Sequence, residues 1–190
     1  MRLTKDKMKK YLYILMSAVL MVMSAGCSSD DDSDDNENSV ISVNFTLQDE
    51  NDVEKYTFNE GENIVFRIEL INNDTVMAVL PSYEDVFSYD VFHVYTSNGK
   101  DMGRPYDLFA SGSEYHVRIK AKGTRIYLYP WINDPESELN NPDLHILKPD
   151  YMAARIMEPR PLPKGDYYSK FKIKLDNNRV VTCQKSFRIE

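Results

Sequence analysis

Histidine, cysteine and glycine are all scarce in this sequence, and each shortage argues against a class of site. The three histidines, His93, His116 and His145, have no metal-binding spacing, and the two cysteines form no Cys-x-x-Cys pair. The seven glycines form neither a phosphate-binding loop nor a Gly-x-Ser-x-Gly nucleophile motif. We therefore predict that the protein is not an enzyme and that it holds no metal and no cofactor.

The predicted domain, residues 40–190, also lacks a basic cluster. Residues 1–26 contain five of the 23 Lys and Arg residues and one of the 30 Asp and Glu residues. Without that segment, 18 basic residues stand against 29 acidic ones, a formal net charge of −11. Nucleic-acid-binding domains depend on basic side chains that contact phosphates. The composition therefore predicts that nucleic acid is not a partner.

No apolar run is long enough to cross a bilayer comfortably. The run from Tyr11 to Val22 follows four lysines between residues 5 and 10 and precedes the small residues Ser24, Ala25 and Gly26. A spanning helix needs about 20 apolar residues. A basic head, a short apolar segment and small residues are typical of a secretory signal instead. We predict that residues 1–26 are a signal peptide.

The segment around Cys27 resembles the lipobox of bacterial lipoproteins, in which the peptide before the cysteine is removed and the cysteine is acylated. The family usually has Leu three residues before the cysteine, where this chain has Ser24. The residues after Cys27 resemble the surface-export signal of Bacteroidetes-type lipoproteins. The resemblance implies lipidation at Cys27 and attachment to the outer membrane, facing the cell exterior. The export signal comprises Ser28, Ser29, Asp30, Asp31 and Asp32.

Residues 27–39 are predicted to be a lipidated, disordered tether. The six acidic residues between Asp30 and Glu37 repel one another, and that stretch contains no apolar side chain to bury. The remaining residues, 40–190, have a length typical of one domain with its own core.

Residues 40–190 alternate between apolar and polar side chains, as strands with one buried face do. The pattern is clear in Ile41 to Gln48 and in Ile64 to Ile71. Asn98-Gly99 predicts a hairpin, because both residues tolerate positive φ. Lys122-Gly123 predicts a turn that pairs the strand Thr124 to Pro130 with the strand before it. We predict an all-β antiparallel sandwich of about seven to nine strands, with one long irregular loop over residues 133–162.

The clearest predicted hairpin closes the chain. Its first strand has apolar residues from Phe171 to Leu175 on one face and lysines on the other, and its second strand runs to Ile189. Lys185 interrupts the second apolar face and predicts a bulge or an edge position. Cys183 is predicted to be a buried small hydrophobe without an intrachain disulfide, because lipidation would use Cys27, the other cysteine.

The domain resembles an immunoglobulin-like sandwich and, more narrowly, the BsuPI-type proteinase-inhibitor domain. The resemblance lies in the strand Ile64 to Leu70 ending in Asn72-Asn73, in the run Asp90 to Tyr95 before the Asn98-Gly99 hairpin, and in Leu162 to Tyr167. It implies an immunoglobulin-like sandwich fold. It implies protease inhibition only weakly, because no reactive loop matches residue by residue.

The strand Thr124 to Trp131 carries the candidate ligand-binding residues. If Ile126 and Leu128 face the core, an arginine and three aromatic rings line the opposite face, which is a surface suited to sugar rings or to protein hot spots. The alternative is that loop 133–162 covers these rings with Leu139, Leu144, Ile146 and Leu147. The candidate residues are Arg125, Tyr127, Tyr129 and Trp131.

Two functions remain open from the sequence. The first is a surface-tethered, non-catalytic binding or assembly lipoprotein, with the membrane as partner through its lipid and an unidentified protein or envelope ligand. The second is a glycan-binding accessory lipoprotein of an outer-membrane uptake system. A BsuPI-like protease inhibitor is a weaker third possibility. The exposure of Tyr127, Tyr129 and Trp131 tests the glycan hypothesis, because burial of any two of these rings would leave no aromatic surface for a sugar.

Overall fold

The computed structural model describes residues 28–29, 40–82, 86, 91–104, 106–107, 116–141, 143–151, 155–156, 160–175 and 179–190. The described residues form mainly strands, and the two helical segments whose bounds the structure describes are three and four residues long. The strands are β1 (Ser28–Ser29), β2 (Ile41–Gln48), β3 (Thr57–Phe58), β4 (Ile64–Asn72), β5 (Ala78–Ser82), β6 (Val94–Thr96), β7 (Asp101–Gly103), β8 (Tyr106–Asp107), β9 (His116–Ile119), β10 (Thr124–Trp131), β11 (Arg155–Ile156), β12 (Gly165–Lys174) and β13 (Val180–Ile189).

The larger sheet has the order β1-β13-β12-β6-β7, and β3 pairs with the far end of β13. The predicted terminal hairpin is confirmed: β12 and β13 pair without a break from Gly165↔Ile189 to Lys174↔Val180. The predicted Asn98-Gly99 hairpin is also confirmed, since it joins β6 to β7 and Gly99 adopts a φ of 84°. Glycine takes this left-handed conformation without the Cβ clash of other residues.

The smaller sheet has the order β10-β4-β2, with β4 in the centre. The alternation in β4 is confirmed, because all four apolar residues of its predicted inner face are fully buried between the sheets. These four residues are Ile64, Phe66, Ile68 and Leu70.

The predicted hairpin at Lys122-Gly123 is wrong. The turn is present, but β9 pairs with β5, whereas β10 pairs with β4. Asn72, buried at the end of β4, explains part of this arrangement, because its Nδ2 donates to the carbonyl oxygens of Ile119 and Lys120 at 3.2 and 3.0 Å. These bonds fasten the end of β9 beside β4, and the chain then crosses to the smaller sheet.

The two sheets pack face to face around one hydrophobic core. Phe92 lies at its centre with a φ of 63°, and its ring contacts Tyr129 on β10 at 4.4 Å and Phe171 on β12 at 4.9 Å between centroids. One ring therefore joins the smaller sheet to the larger one. The prediction of an all-β, antiparallel, sandwich-like fold is confirmed.

The long loop after β10 contains a short 3₁₀ turn (Glu138–Asn140), the helix α1 (Leu144–Leu147) and β11. Leu139, Leu144 and Tyr151 bury themselves against Leu128 on the side of the smaller sheet that faces away from the main core. Both faces of the smaller sheet are therefore covered over part of its area. In the part of the chain that the structure describes, no helix could span a membrane.

Lys185 causes no bulge, since the β12–β13 register is continuous through its pairing with Ser169. Its side chain is buried, and its Nζ lies 5.6 Å from the centroid of the Tyr56 ring. A cation over a ring face is attracted by the ring quadrupole. The bulge alternative is therefore wrong. The edge alternative agrees with the pairing, since β13 pairs with β1 and β3 only at residues 181–182 and 188–189, so that among the described strands Lys185 has a partner on one side.

The buried hydroxyl of Ser169 leads us to expect that its removal stabilises the fold. Its Oγ is buried and has no hydrogen-bond partner among the described residues. Because a buried hydroxyl without a partner costs free energy, we expect Ser169→Ala to raise the free energy of unfolding by roughly 0.5–1.5 kcal/mol. Urea denaturation of both proteins would measure it, and a clear loss of stability would contradict the assigned environment.

Candidate functional site

The predicted lipidation and export residues lie mostly outside the described part of the chain. This holds for Cys27 and for Asp30, Asp31 and Asp32, as it does for the predicted signal peptide. Ser28 and Ser29 are described as strand β1, which pairs with Thr182 and Val181 on β13. The first residues of the predicted tether therefore lie along the sheet edge.

Cys183 corrects one expectation from the sequence. It is fully buried, as predicted, but it is disulfide-bonded. The chain has one other cysteine, Cys27. The prediction that no intrachain disulfide forms is therefore wrong for this structure.

The predicted aromatic platform does not exist on the surface. Tyr127, Tyr129 and Trp131 are only 3%, 1% and 2% exposed, and all three belong to the core between the sheets. Arg125 remains exposed at the end of the row, with its guanidinium carbon 5.5 Å from the centroid of the Tyr127 ring. The three rings are structural, so they are not a ligand-binding surface.

The orientation of β10 is the reverse of the predicted one. Ile126 and Leu128 face the long loop, while the rings face the main core. The loop does cover the strand, but on the aliphatic side, with Leu139 and Leu144. Three rings remove more apolar area from water than two aliphatic side chains, which favours this orientation. Ile146 and Leu147 take no part in the cover, since they are 67% and 69% exposed.

Two buried asparagines fasten the long loop to the sandwich. Asn63 Oδ1 accepts hydrogen bonds from the backbone N–H groups of Asn133 and Asp134 at 2.6 and 2.8 Å. Asn133 Oδ1 accepts from the backbone N–H of Leu162 at 3.0 Å, so the two ends of the loop meet at one side chain. Trp131 adds a hydrogen bond from Nε1 to the carbonyl oxygen of Arg160.

A different set of aromatic rings lies on the outer face of the larger sheet. Tyr95 on β6 and Tyr168 on β12 are cross-strand partners, with ring centroids 5.3 Å apart and planes inclined by 23°. His93 stacks on Tyr95 at 6.0 Å and 27°. All three side chains are only half-buried.

Lysines extend this row of rings along β12. Lys170, Lys172 and Lys174 are exposed on the same face as Tyr168, since residues two apart in a strand share a face. We refer to His93, Tyr95, Tyr168 and these three lysines as the aromatic–lysine strip. The lysine alternation was visible in the sequence, but the alignment of β6 with β12 was not.

Two carboxylates near the strip already have cationic or histidine partners. Asp166 accepts a hydrogen bond from Nε of Arg188 at 2.6 Å, and this contact lowers the pKa of the Asp166 carboxyl. Both Asp101 oxygens lie 3.2 Å from Nδ1 of His93. Lys170 and Lys174, exposed on the same face, add positive charge beside these paired carboxylates.

The outer face of the smaller sheet carries a polar cluster that predicts a pH effect. Burial acts to raise the pKa of Glu69, but hydrogen bonds from Arg67 and Asn44 outweigh it, so that this pKa is lowered. A carboxyl with a lowered pKa in the folded state stabilises the fold above its unfolded pKa and loses that effect as the pH falls through the folded pKa. The pair is partly exposed, so the effect is small.

We expect Glu69→Gln to lower the free energy of unfolding by less than about 1 kcal/mol at neutral pH. The difference from the unmodified protein should shrink as the pH falls through the lowered pKa of Glu69, because the carboxyl is then protonated in the folded as well as in the unfolded state. Urea denaturation at a series of pH values measures this difference in the free energy of unfolding. A difference that is constant with pH would show that the ion pair is not its cause.

No group of three or more potential metal ligands occurs among the described residues. Comparisons with protein families, with curated proteins and with solved structures found no match for this chain.

Proposed function

We propose that the protein is a lipid-anchored, non-catalytic binding or assembly protein displayed at the outer membrane, with an immunoglobulin-like sandwich as its displayed domain. The observation that carries the proposal is the order of the N-terminal residues. A basic head and a short apolar run lead to Ala25-Gly26-Cys27, and Ser28-Ser29 and an acidic run follow. Several acyl chains on one cysteine would hold the protein firmly at a membrane.

The chemistry of Cys27 makes the proposal sharply testable. A lipid thioether and a disulfide to Cys183 would both use the same sulfur atom, so one molecule can carry only one of them. Disulfides persist in oxidising compartments outside the bacterial cytoplasm. Either bond at Cys27 is therefore consistent with an exported domain. Only the thioether would attach the protein to a membrane.

The domain supports a binding role through its surface. The predicted glycan site on β10 is overturned by the burial of its rings, whereas the aromatic–lysine strip offers an accessible alternative. Protease inhibition depends only on the BsuPI resemblance and is not proposed. Glycan binding stays as the second candidate function, and the strip is the observation that favours it.

A pair of cysteine variants tests the anchor. We expect Cys27→Ala to release the protein from the membrane fraction, because no acyl chain can then be attached. Cys183→Ala is the matched control, since it removes the disulfide but leaves the lipidation site, and it should remain in the membrane fraction. Mass spectrometry of the unmodified protein should find a mature N-terminus at Cys27 bearing acyl chains.

Equal release of both variants, or a mature chain without acyl mass, would overturn the anchor. Surface display has its own test. Protease added to whole cells should degrade the unmodified protein, and replacing Asp30, Asp31 and Asp32 together by Asn should protect it while membrane attachment persists. Degradation of both proteins would contradict the role of the acidic run as an export signal.

A further inference from the structure

We propose that the aromatic–lysine strip binds a polysaccharide that carries carboxylate groups. This inference rests on the proposed binding function and adds to it the class of ligand that the displayed domain binds.

The rings of the strip have the geometry of a stacking surface. Tyr168 and Tyr95 are opposite each other on paired strands, and His93 continues the row, with neighbouring ring planes within 27° of parallel. The same ring pairing stabilises the sheet, as cross-strand aromatic pairs do. Because the sheet fixes the rings in place, a ligand that stacks on them loses little entropy in ordering them.

The lysines supply the charge that selects the ligand. Alternate residues of a strand are about 6.8 Å apart, so the Cα atoms of the three lysines follow that of Tyr168 at regular intervals along β12. The whole chain has a formal charge of −7, yet Lys170 and Lys174 place two cationic side chains on this face. Hydrogen bonds from ammonium groups to carboxylates are stronger than those to neutral oxygens, which favours an acidic sugar over a neutral one.

The surroundings of the strip favour a sugar over a protein partner. Protein interfaces have an apolar core within a polar rim. The neighbouring exposed residues on β13, Gln184 and Ser186, are polar. The large hydrophobic residues that are exposed in the described chain lie elsewhere, between β2 and β3, in β5 and the loop before it, and on α1. A polymer with hydroxyl and carboxylate groups and apolar C–H faces matches rings flanked by lysines.

Affinity electrophoresis of the full chain in gels containing polygalacturonate tests the proposal. We expect retention in polygalacturonate and little retention in highly methyl-esterified pectin, which has the same backbone with its carboxylates masked. Polyglutamate carries carboxylates without sugar rings, and its retention of the protein should be much weaker than that of polygalacturonate. Equal retention by either control polymer would overturn the proposal.

Variants separate the two halves of the strip. The double variant Tyr95→Thr/Tyr168→Thr should lose about tenfold in affinity, with thermal unfolding as a check that it folds. Lys170→Gln and Lys174→Gln should each weaken retention, whereas Lys120→Gln, the same change in charge away from the strip, should not. Unchanged retention of the tyrosine and lysine variants would overturn the site.

A measurement on the unmodified protein avoids any folding defect. Oligogalacturonides should protect Lys170 and Lys174 from acylation by an amine-reactive ester and leave Lys120 reactive, as read by peptide mass spectrometry. Equal reactivity with and without the sugar would overturn the proposal. The lipid anchor is read independently from the mass of the N-terminus, so failure of sugar binding would leave that proposal standing.

Discussion

Phe92→Ala is expected to lower the free energy of unfolding by about 3–5 kcal/mol. Phe92 is fully buried, and its ring lies within 6.1 Å of the rings of Phe45, Phe66, Tyr129 and Phe171. Truncation would remove the side chain that joins the two sheets and leave a cavity that the surrounding strands cannot close. Because natural domains are stable by only about 5–15 kcal/mol, the variant would be near the limit of folding.

The measurement uses the single tryptophan of the chain. Trp131 is buried in the core, so its fluorescence should report unfolding in urea. Phe92→Leu retains most of the volume and should lose much less stability. Val76→Ala changes an exposed residue and should alter stability by less than about 0.5 kcal/mol. A loss below about 1 kcal/mol for Phe92→Ala would contradict the central position of the ring.

Asn63→Ala has the second largest expected effect, a loss of roughly 2–4 kcal/mol. The substitution removes the oxygen that accepts from the backbone N–H groups of Asn133 and Asp134, and the first of these contacts is buried. The methyl side chain of alanine has no acceptor, so both backbone donors would lose their partner. The start of the long loop would also detach from the sandwich.

Asn73→Ala is the matched control, because Asn73 is exposed and its side chain bonds only to the Ser42 hydroxyl among the described residues. It should cost less than about 0.5 kcal/mol. Limited proteolysis gives a second readout, since Asn63→Ala should be cut faster between residues 133 and 162 than the control. Similar cutting of both variants would show that the asparagine pair does not hold the loop.

Strand periodicity predicted much of the fold. The alternating apolar residues of β4, β12 and β13 are buried as expected, because each of these segments has one clearly apolar face. In β2 the alternation is only partly confirmed, since Val43 is half-buried while Thr46 and Gln48 of the predicted polar face are buried. The closing hairpin and the Asn98-Gly99 hairpin were also predictable, since both depend on neighbours in the chain. The pairing of β9 with β5 was not, because the bonds from Asn72 to Ile119 and Lys120 join distant segments.

The candidate site was likewise predictable only where it depends on neighbouring residues of one strand. Alternation separated the two faces of β10 correctly but could not say which one was inward, because both carry apolar side chains. The rings entered the main core, where Tyr129 packs against Phe92. The lysines of β12 were evident in sequence, while the stacking of Tyr168 on Tyr95 depends on how two remote strands align.

By itself, the sequence determined the strand character of the domain, its closing hairpin and the Asn98-Gly99 hairpin, because each follows from the order of neighbouring residues. It also predicts an N-terminus typical of an exported lipoprotein. The shortage of histidine, cysteine and glycine set the expectation of a binding protein. Only the tertiary structure decided which face of β10 is buried and which rings remain accessible. The reason is that burial and strand alignment depend on the total area removed from water across segments far apart in the chain.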